Sequence, residues 1–89
     1  MKTIHLQITG KVQGVFYRAA AREVARQLAL SGWIKNSGDG MVEAIISGED
    51  EQLEVFLGWS KKGPEKARVK EVKVKELPLQ NFNSFEILR

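Results

Sequence analysis

The chain has 89 residues, 43% hydrophobic and 28% charged, which is a balance typical of one globular domain spanning residues 1–89. It contains no cysteine, which excludes disulfides, thiolate metal sites and a thiol nucleophile. Its net charge of +3 suits an anionic partner but does not by itself indicate nucleic acid. The N-terminus alternates instead of running apolar, and no stretch approaches about 20 apolar residues, so we expect no signal peptide, no membrane span and a cytoplasmic location.

The first two predicted elements are a strand and a helix joined by a loop. Residues 2–9 alternate between apolar and polar side chains, which predicts a half-buried strand. A loop over 10–16 follows. From Tyr17 the apolar residues recur at helical spacing, which predicts a helix to about Leu30 that Ser31 and Gly32 end.

The rest of the chain predicts a hairpin, a second helix and two more strands. They are a hairpin over 33–47 with its turn at "NSGDG", a helix over about 50–62 stopped by Gly63 and Pro64, and strands over 69–77 and 82–89. This βαββαβ order with a short C-terminal strand favours an α+β, ferredoxin-like sandwich. We expect an antiparallel sheet with both helices on one face. That fold hosts unrelated functions, so function has to be argued from a site.

The usual catalytic residues are scarce. His5 is the only histidine, and with no cysteine it makes a poor metal site. No serine has a plausible His and Asp partner set, and "GKVQG" is not a Walker motif. The basic residues of segment 61–75 are interleaved with glutamates, so we interpret the segment as a solvated face.

The loop "GKVQGVFYR" over residues 10–18 has favourable chemistry for an anion. The backbone N–H groups of residues 14–17 enter a helix N-terminus, where they lack helical partners and can form a concave nest. Gly10 and Gly14 permit the necessary backbone angles and close approach. Arg18 stands in the first helical turn, where the helix dipole disfavours a cation unless an anion lies beside it. The alternative is a glycine-containing connection with a surface arginine.

The second candidate stretch is "GWIKNSGDG". Asn36 ends a predicted strand and opens the turn, and its amide can both donate and accept hydrogen bonds. Taken alone, it is equally compatible with an ordinary turn asparagine.

Together these stretches resemble a known family. "GKVQGVFYR" and "GWIKNSGDGMVEAIISG" are similar to the two signature motifs of the acylphosphatases, and the resemblance spans the whole chain in length and element order. The departures from the family pattern lie outside the residues that carry the chemistry: Tyr17 stands for a common phenylalanine, Ile34 for a smaller aliphatic, Ala21 for a frequent threonine and Ala29 for a frequent glycine.

The resemblance implies hydrolysis of an acyl phosphate to a carboxylate and inorganic phosphate, with no metal and no cofactor. It implies that Arg18 and Asn36 are catalytic, with Asn36 positioning the attacking water. It assigns phosphate binding to the Arg18 side chain and to the backbone N–H groups of the loop residues Gln13, Gly14, Val15, Phe16, Tyr17 and Arg18. The expected partners are a small acyl phosphate and inorganic phosphate as product and inhibitor, for a monomer that binds neither nucleic acid nor membrane.

Two alternatives use the same fold. One is a non-catalytic anion- or RNA-binding module, although the strand over 42–47 carries no aromatic residue and no RNP1 pattern occurs. The other is an accessory domain of a larger maturation enzyme. The short length of the chain argues against this second alternative.

Overall fold

The computed structural model describes residues 1–88, so the last residue of the strand predicted over 82–89 lies outside the described residues. The elements are β1 (Lys2–Lys11), α1 (Tyr17–Gln27), β2 (Ser31–Asn36), a 3₁₀ turn (Gly38–Gly40), β3 (Val42–Gly48), α2 (Asp50–Ser60), β4 (Arg68–Leu77) and β5 (Phe85–Ile87). None of the helices in residues 1–88 has the length and apolarity needed to cross a membrane.

The strands form one sheet in the order β4-β1-β3-β2-β5. The first four pair antiparallel, which confirms the predicted ferredoxin-like arrangement. The sheet is nevertheless mixed, because β5 pairs parallel to β2, with Gly32 opposite Phe85 and Ile34 opposite Ile87. Residues 78–84 turn the chain back after β4, so β5 runs opposite to β4 and therefore in the direction of β2.

The core lies between the sheet and the two helices. Alternate residues of β1 and β3 face it, as the period-2 pattern requires. Its buried residues include Ile4, Leu6, Ile8, Ala21, Ala25, Ile34, Val42, Ala44, Ile46, Leu53, Phe56 and Phe85.

Helix α1 ends at Gln27, three residues earlier than predicted. Ala29 adopts the left-handed conformation with φ 57°, and the N–H groups of Ala29 and Leu30 donate to the carbonyls of Arg26 and Ala25. This is a Schellman cap, which satisfies the last helical carbonyls. The prediction that Ser31 and Gly32 end the helix is wrong, because both belong to β2 and pair with β3.

The strand directions bring five strand ends to one edge of the sheet. Strands β1, β2 and β5 finish there at Lys11, Asn36 and Ile87, whereas β3 and β4 begin there at Val42 and Arg68. The loop between β1 and α1 leaves from this edge, which therefore holds both candidate stretches of the sequence.

Candidate active site

The loop between β1 and α1 alternates in backbone handedness. Gly14 has φ 74° and Phe16 has φ 63° and ψ 24°, whereas Val15 between them does not have a positive φ. Alternation of this kind turns successive N–H groups toward a common centre, which is the geometry of an anion-binding nest. A left-handed conformation costs a non-glycine residue about 1–2 kcal/mol, and Phe16 adopts it while 79% exposed.

The N–H groups of this loop lack partners in the described chain. The first helical hydrogen bond runs from Ala20 N–H to the Phe16 carbonyl at 3.1 Å. Within residues 1–88, no backbone N–H from Gln13 to Ala19 donates to a protein acceptor, and the first turn of α1 contains no acidic residue. These donors and the positive end of the helix dipole are therefore available to an anion.

Arg18 lines a cavity of about 550 Å³ beside these donors. Its side chain is half-buried, and within residues 1–88 no carboxylate forms an ion pair with it. The cavity is lined by Val12, Gly14, Phe16, Tyr17, Arg18, Ala19, Arg22, Glu86 and Ile87. The structure thus brings together four of the predicted site residues.

Five lining residues were missed by the sequence analysis, of which Val12 lies within the predicted loop and Ala19 directly follows Arg18. Arg22 follows Arg18 by four residues and so lies on the same face of α1, which is a spacing that the sequence does display. Glu86 and Ile87 come from β5, whose pairing with β2 is a long-range contact without a local signal. Glu86 forms an ion pair with Arg26 at 3.7 Å, so one of its oxygens is engaged within the described chain.

Asn36 is the last residue of β2 and lies at the same sheet edge as the loop. It is directly opposite Val42, which is fully buried. Because opposed residues of an antiparallel pair share a face, the side chain of Asn36 projects from the helix-covered face, at its exposed rim. Asn36 does not itself line the 550 Å³ cavity.

Gln13 connects the loop to the turn that follows Asn36. Its side-chain nitrogen Nε2 donates to the carbonyls of Ser37 at 3.1 Å and Met41 at 2.8 Å. The side chain of Gln13 is therefore committed to the β2–β3 turn, and only its backbone N–H is left for an anion. This tie fixes the loop relative to the end of β2.

The sequence comparisons with known proteins agree on one family. The sequence model described as Acylphosphatase matches residues 4–87. The chain belongs to the acylphosphatase family.

Relatives of this family match most of the chain. It is 49% identical over 82 residues to an acylphosphatase of Marinobacter nauticus, covering 91% of this chain and 89% of that one. The crystal structure of a Bacillus subtilis acylphosphatase superposes with a TM-score of 0.96 at 31% identity, covering all of both chains. An acylphosphatase structure from Coxiella burnetii gives a TM-score of 0.94 at 36% identity, covering 98% and 92%. The family assignment makes this chain a hydrolase that acts on acid anhydrides.

Tyr17, one of the departures from the usual acylphosphatase pattern, anchors the end of the loop to helix α2. The ring of Tyr17 is buried, lies 5.3 Å from the Trp59 ring between centroids, and its hydroxyl donates to the Ser60 carbonyl at 2.8 Å. A phenylalanine here would lack that bond. Burial raises the pKa of the Tyr17 phenol well above its usual value.

Two other residues have roles outside the nest. Gly10, which we expected in the loop, lies in β1 at a register shift with β4; a Cβ there would overlap the Arg68 carbonyl and lie 2.6 Å from the Lys70 nitrogen. The close approach that Gly10 permits is therefore to the backbone of β4. A hydrogen bond of 2.7 Å joins Nε2 of His5 to the Glu43 carboxylate, on the sheet face opposite the helices. Within residues 1–88 no group of three His, Asp or Glu side chains is arranged to hold a metal ion.

Proposed function

We propose that this chain hydrolyses acyl phosphates to a carboxylate and inorganic phosphate, with Arg18 and Asn36 as its catalytic residues. The observation that carries the proposal is the nest of partnerless N–H groups from Gln13 to Ala19, which shares a cavity with a guanidinium free of ion pairs within residues 1–88. Family membership supports the reaction class.

The phosphoryl group of the substrate binds in the nest. Its oxygens accept hydrogen bonds from the N–H groups of Gln13, Gly14, Val15, Phe16, Tyr17 and Arg18, and the Arg18 guanidinium adds a bidentate pair. The dipole of α1 stabilises the same charge. The anion also removes the penalty of a cation in the first turn of the helix, which is about 0.3–1 kcal/mol.

Hydrolysis needs little covalent chemistry from the protein. The oxygen of a water molecule bonds to phosphorus while the bond from phosphorus to the acyl oxygen breaks, and the carboxylate leaves with the electron pair. One proton of the water passes to a phosphoryl oxygen and the other stays on the new phosphate. A carboxylate of pKa about 4 leaves without protonation, so neither a general acid nor a metal is required. Transition states of this kind depend mainly on positioning and charge stabilisation.

Asn36 positions the attacking water. Its amide supplies both a donor and an acceptor, which suffices to orient a water molecule in line with the leaving group. The tie from Gln13 to Ser37 and Met41 supports this role, because it holds the end of β2 in register with the loop.

The test is hydrolysis of benzoyl phosphate in the presence of EDTA by the wild type, Arg18→Ala and Asn36→Ala. We expect Arg18→Ala nearly to abolish activity and to weaken inhibition by phosphate, whereas Asn36→Ala lowers kcat but leaves phosphate inhibition largely intact. Lys2→Ala, at the far end of β1, and Asn81→Ala, outside the elements, are matched controls expected to retain activity.

Three results would contradict the proposal. Inhibition by EDTA that a divalent ion reverses would show that a metal takes part. A large loss of phosphate affinity in Asn36→Ala would make Asn36 a binding residue instead. Phosphate binding without any hydrolysis would favour the non-catalytic anion-binding module.

A further inference from the structure

A second, basic cavity adjoins the proposed phosphate site. It measures about 420 Å³ and is lined by Lys11, Gly14, Val15, Glu65, Lys66 and Arg68. Gly14 lines both this cavity and the one that contains Arg18. Gly14 has no side chain, and a Cβ built on it would meet nothing within 4 Å, so the space beside this shared residue is open.

The three cations of this cavity, Lys11, Lys66 and Arg68, form what we call the basic cluster. Lys11 and Arg68 are directly opposite each other in the pairing of β1 with β4. Like charges in that arrangement destabilise a sheet. The pairing depends on Gly10, since the register shift between Thr9 and Gly10 and the close approach to β4 bring Arg68 beside Lys11.

The charges of the basic cluster are not neutralised within the described chain. Between residues 1 and 88, no carboxylate lies within ion-pair distance of Lys11, Lys66 or Arg68, and Glu65 in the same cavity forms no ion pair with them. The guanidinium of Arg68 is held in place, as its Nη1 donates to the carbonyls of Ala67 at 3.0 Å and Glu65 at 3.4 Å. The cavity therefore presents three cations against one anion.

We propose that the basic cluster binds a second anionic group, a carboxylate or a phosphate, on the acyl part of the substrate. The inference rests on the proposed function and specifies its substrate class, which is acyl phosphates whose acyl group carries a further negative charge. The reactive phosphoryl group occupies the nest and Arg18, and the acyl group passes Gly14 to reach Lys11, Lys66 and Arg68. The anion offsets the repulsion between Lys11 and Arg68.

The experiment compares kcat/KM for benzoyl phosphate, para-carboxybenzoyl phosphate and para-phosphonobenzoyl phosphate. The rigid rings prevent attack of the second anion on the acyl group, and the two charged substrates distinguish a carboxylate from a phosphate-like ligand. The variants are Lys66→Ala, Arg68→Ala and the double variant. Lys73→Ala is the control, because it removes the same charge from β4 at a residue opposite Gln7 and outside the cavity.

We expect each single variant to lower kcat/KM for the charged substrates about 2- to 5-fold relative to benzoyl phosphate, and the double variant about 10-fold. Lys73→Ala leaves that ratio unchanged. The preference of the wild type for the charged substrates falls as the salt concentration rises.

The outcomes that contradict the substrate subsite differ from the outcome that contradicts the proposed function. If the wild type hydrolyses benzoyl phosphate but the ratios are the same in all variants, the basic cluster is not a substrate subsite and the proposed function stands. If Lys73→Ala lowers the ratio as much as Lys66→Ala, the effect is a long-range field, which also overturns the subsite. If none of the three substrates is hydrolysed, the proposed function itself fails.

Discussion

The side-chain nitrogen of Gln13 donates to the main-chain carbonyl of Met41 at 2.8 Å, which joins the loop between β1 and α1 to the start of β3. The same nitrogen donates to the carbonyl of Ser37, the residue after Asn36. One side chain from the first signature stretch thus holds the two ends of the turn in the second. The relative position of the loop N–H groups and Asn36 depends on this contact.

Gln13→Ala should therefore separate catalysis from binding. We expect kcat to fall about 10-fold, because displacing a positioned group by about 1 Å can cost up to 100-fold, while the inhibition constant of phosphate changes little. Loss of two hydrogen bonds should lower the free energy of unfolding by about 1–2 kcal/mol. Steady-state kinetics with phosphate inhibition and urea unfolding measure these changes.

Gln7→Ala is the matched control for Gln13, since Gln7 lies on the open face of the sheet between Glu43 and Lys73. It should leave kcat and phosphate inhibition unchanged. If Gln13→Ala instead weakens phosphate inhibition as much as it lowers kcat, the side chain of Gln13 is a phosphate ligand and the positioning argument is wrong.

Arg18→Lys tests whether the guanidinium acts through its geometry or only through its charge. Lysine keeps the charge but loses the planar fork that matches two phosphoryl oxygens. We expect kcat/KM to fall at least about 100-fold, which is the usual cost of losing one preorganised donor. Hydrolysis assays together with phosphate inhibition measure it. Near-wild-type activity would show that a point charge is sufficient and that no bidentate pair forms.

The sequence predicts the order of elements well because each strand and helix has its own period. The buried residues of β1, Ile4, Leu6 and Ile8, are two positions apart, as in a strand. The buried residues Ala21 and Ala25 of α1 are four positions apart, as in a helix. The parallel pairing of β5 with β2 was not predicted, because it depends on how residues 78–84 return the chain across the sheet. Such a long-range path has no local signal.

The candidate site was predicted in part for the same reason. Gly14 and Arg18 belong to one continuous stretch, so their shared cavity follows from local geometry. The side-chain role of Gln13 could not be inferred, since its acceptors lie more than 20 residues away in the β2–β3 turn. Glu86 joins the cavity only through the pairing of β5.

The cap of α1 leads to a stability prediction. Ala29 has φ 57°, a left-handed conformation that destabilises the folded state by about 1–2 kcal/mol when the residue is alanine. Glycine avoids this strain, but its greater conformational entropy in the unfolded chain lowers stability by about 0.4–1 kcal/mol. Ala29→Gly should therefore raise the free energy of unfolding by about 0.5–1 kcal/mol, and Tm by about 2–8 °C in a domain of this size. Ala20→Gly, within the same helix, should lower stability by about 1 kcal/mol. If both changes destabilise, the left-handed strain at Ala29 is not significant.

The buried phenol of Tyr17 leads to a prediction about alkaline pH. Its folded-state pKa is raised by burial, so above about pH 10 the unfolded chain loses a proton that the folded chain keeps. The unfolded state then binds fewer protons, and stability falls as pH rises, by up to about 1.4 kcal/mol per pH unit from this group. Below about pH 10 the contribution is fully present.

Tyr17→Phe should remove this alkaline loss while lowering stability near neutral pH. The lost hydrogen bond from Tyr17 to the Ser60 carbonyl is expected to cost about 1–2 kcal/mol. Urea unfolding at a series of pH values measures both effects, and the shallower pH slope of the variant is the decisive result. The chain contains only one tyrosine, so near-ultraviolet absorbance of tyrosinate reports on Tyr17 alone. Tyrosinate that appears in the folded protein near pH 10, before unfolding, would show that burial does not protect this phenol.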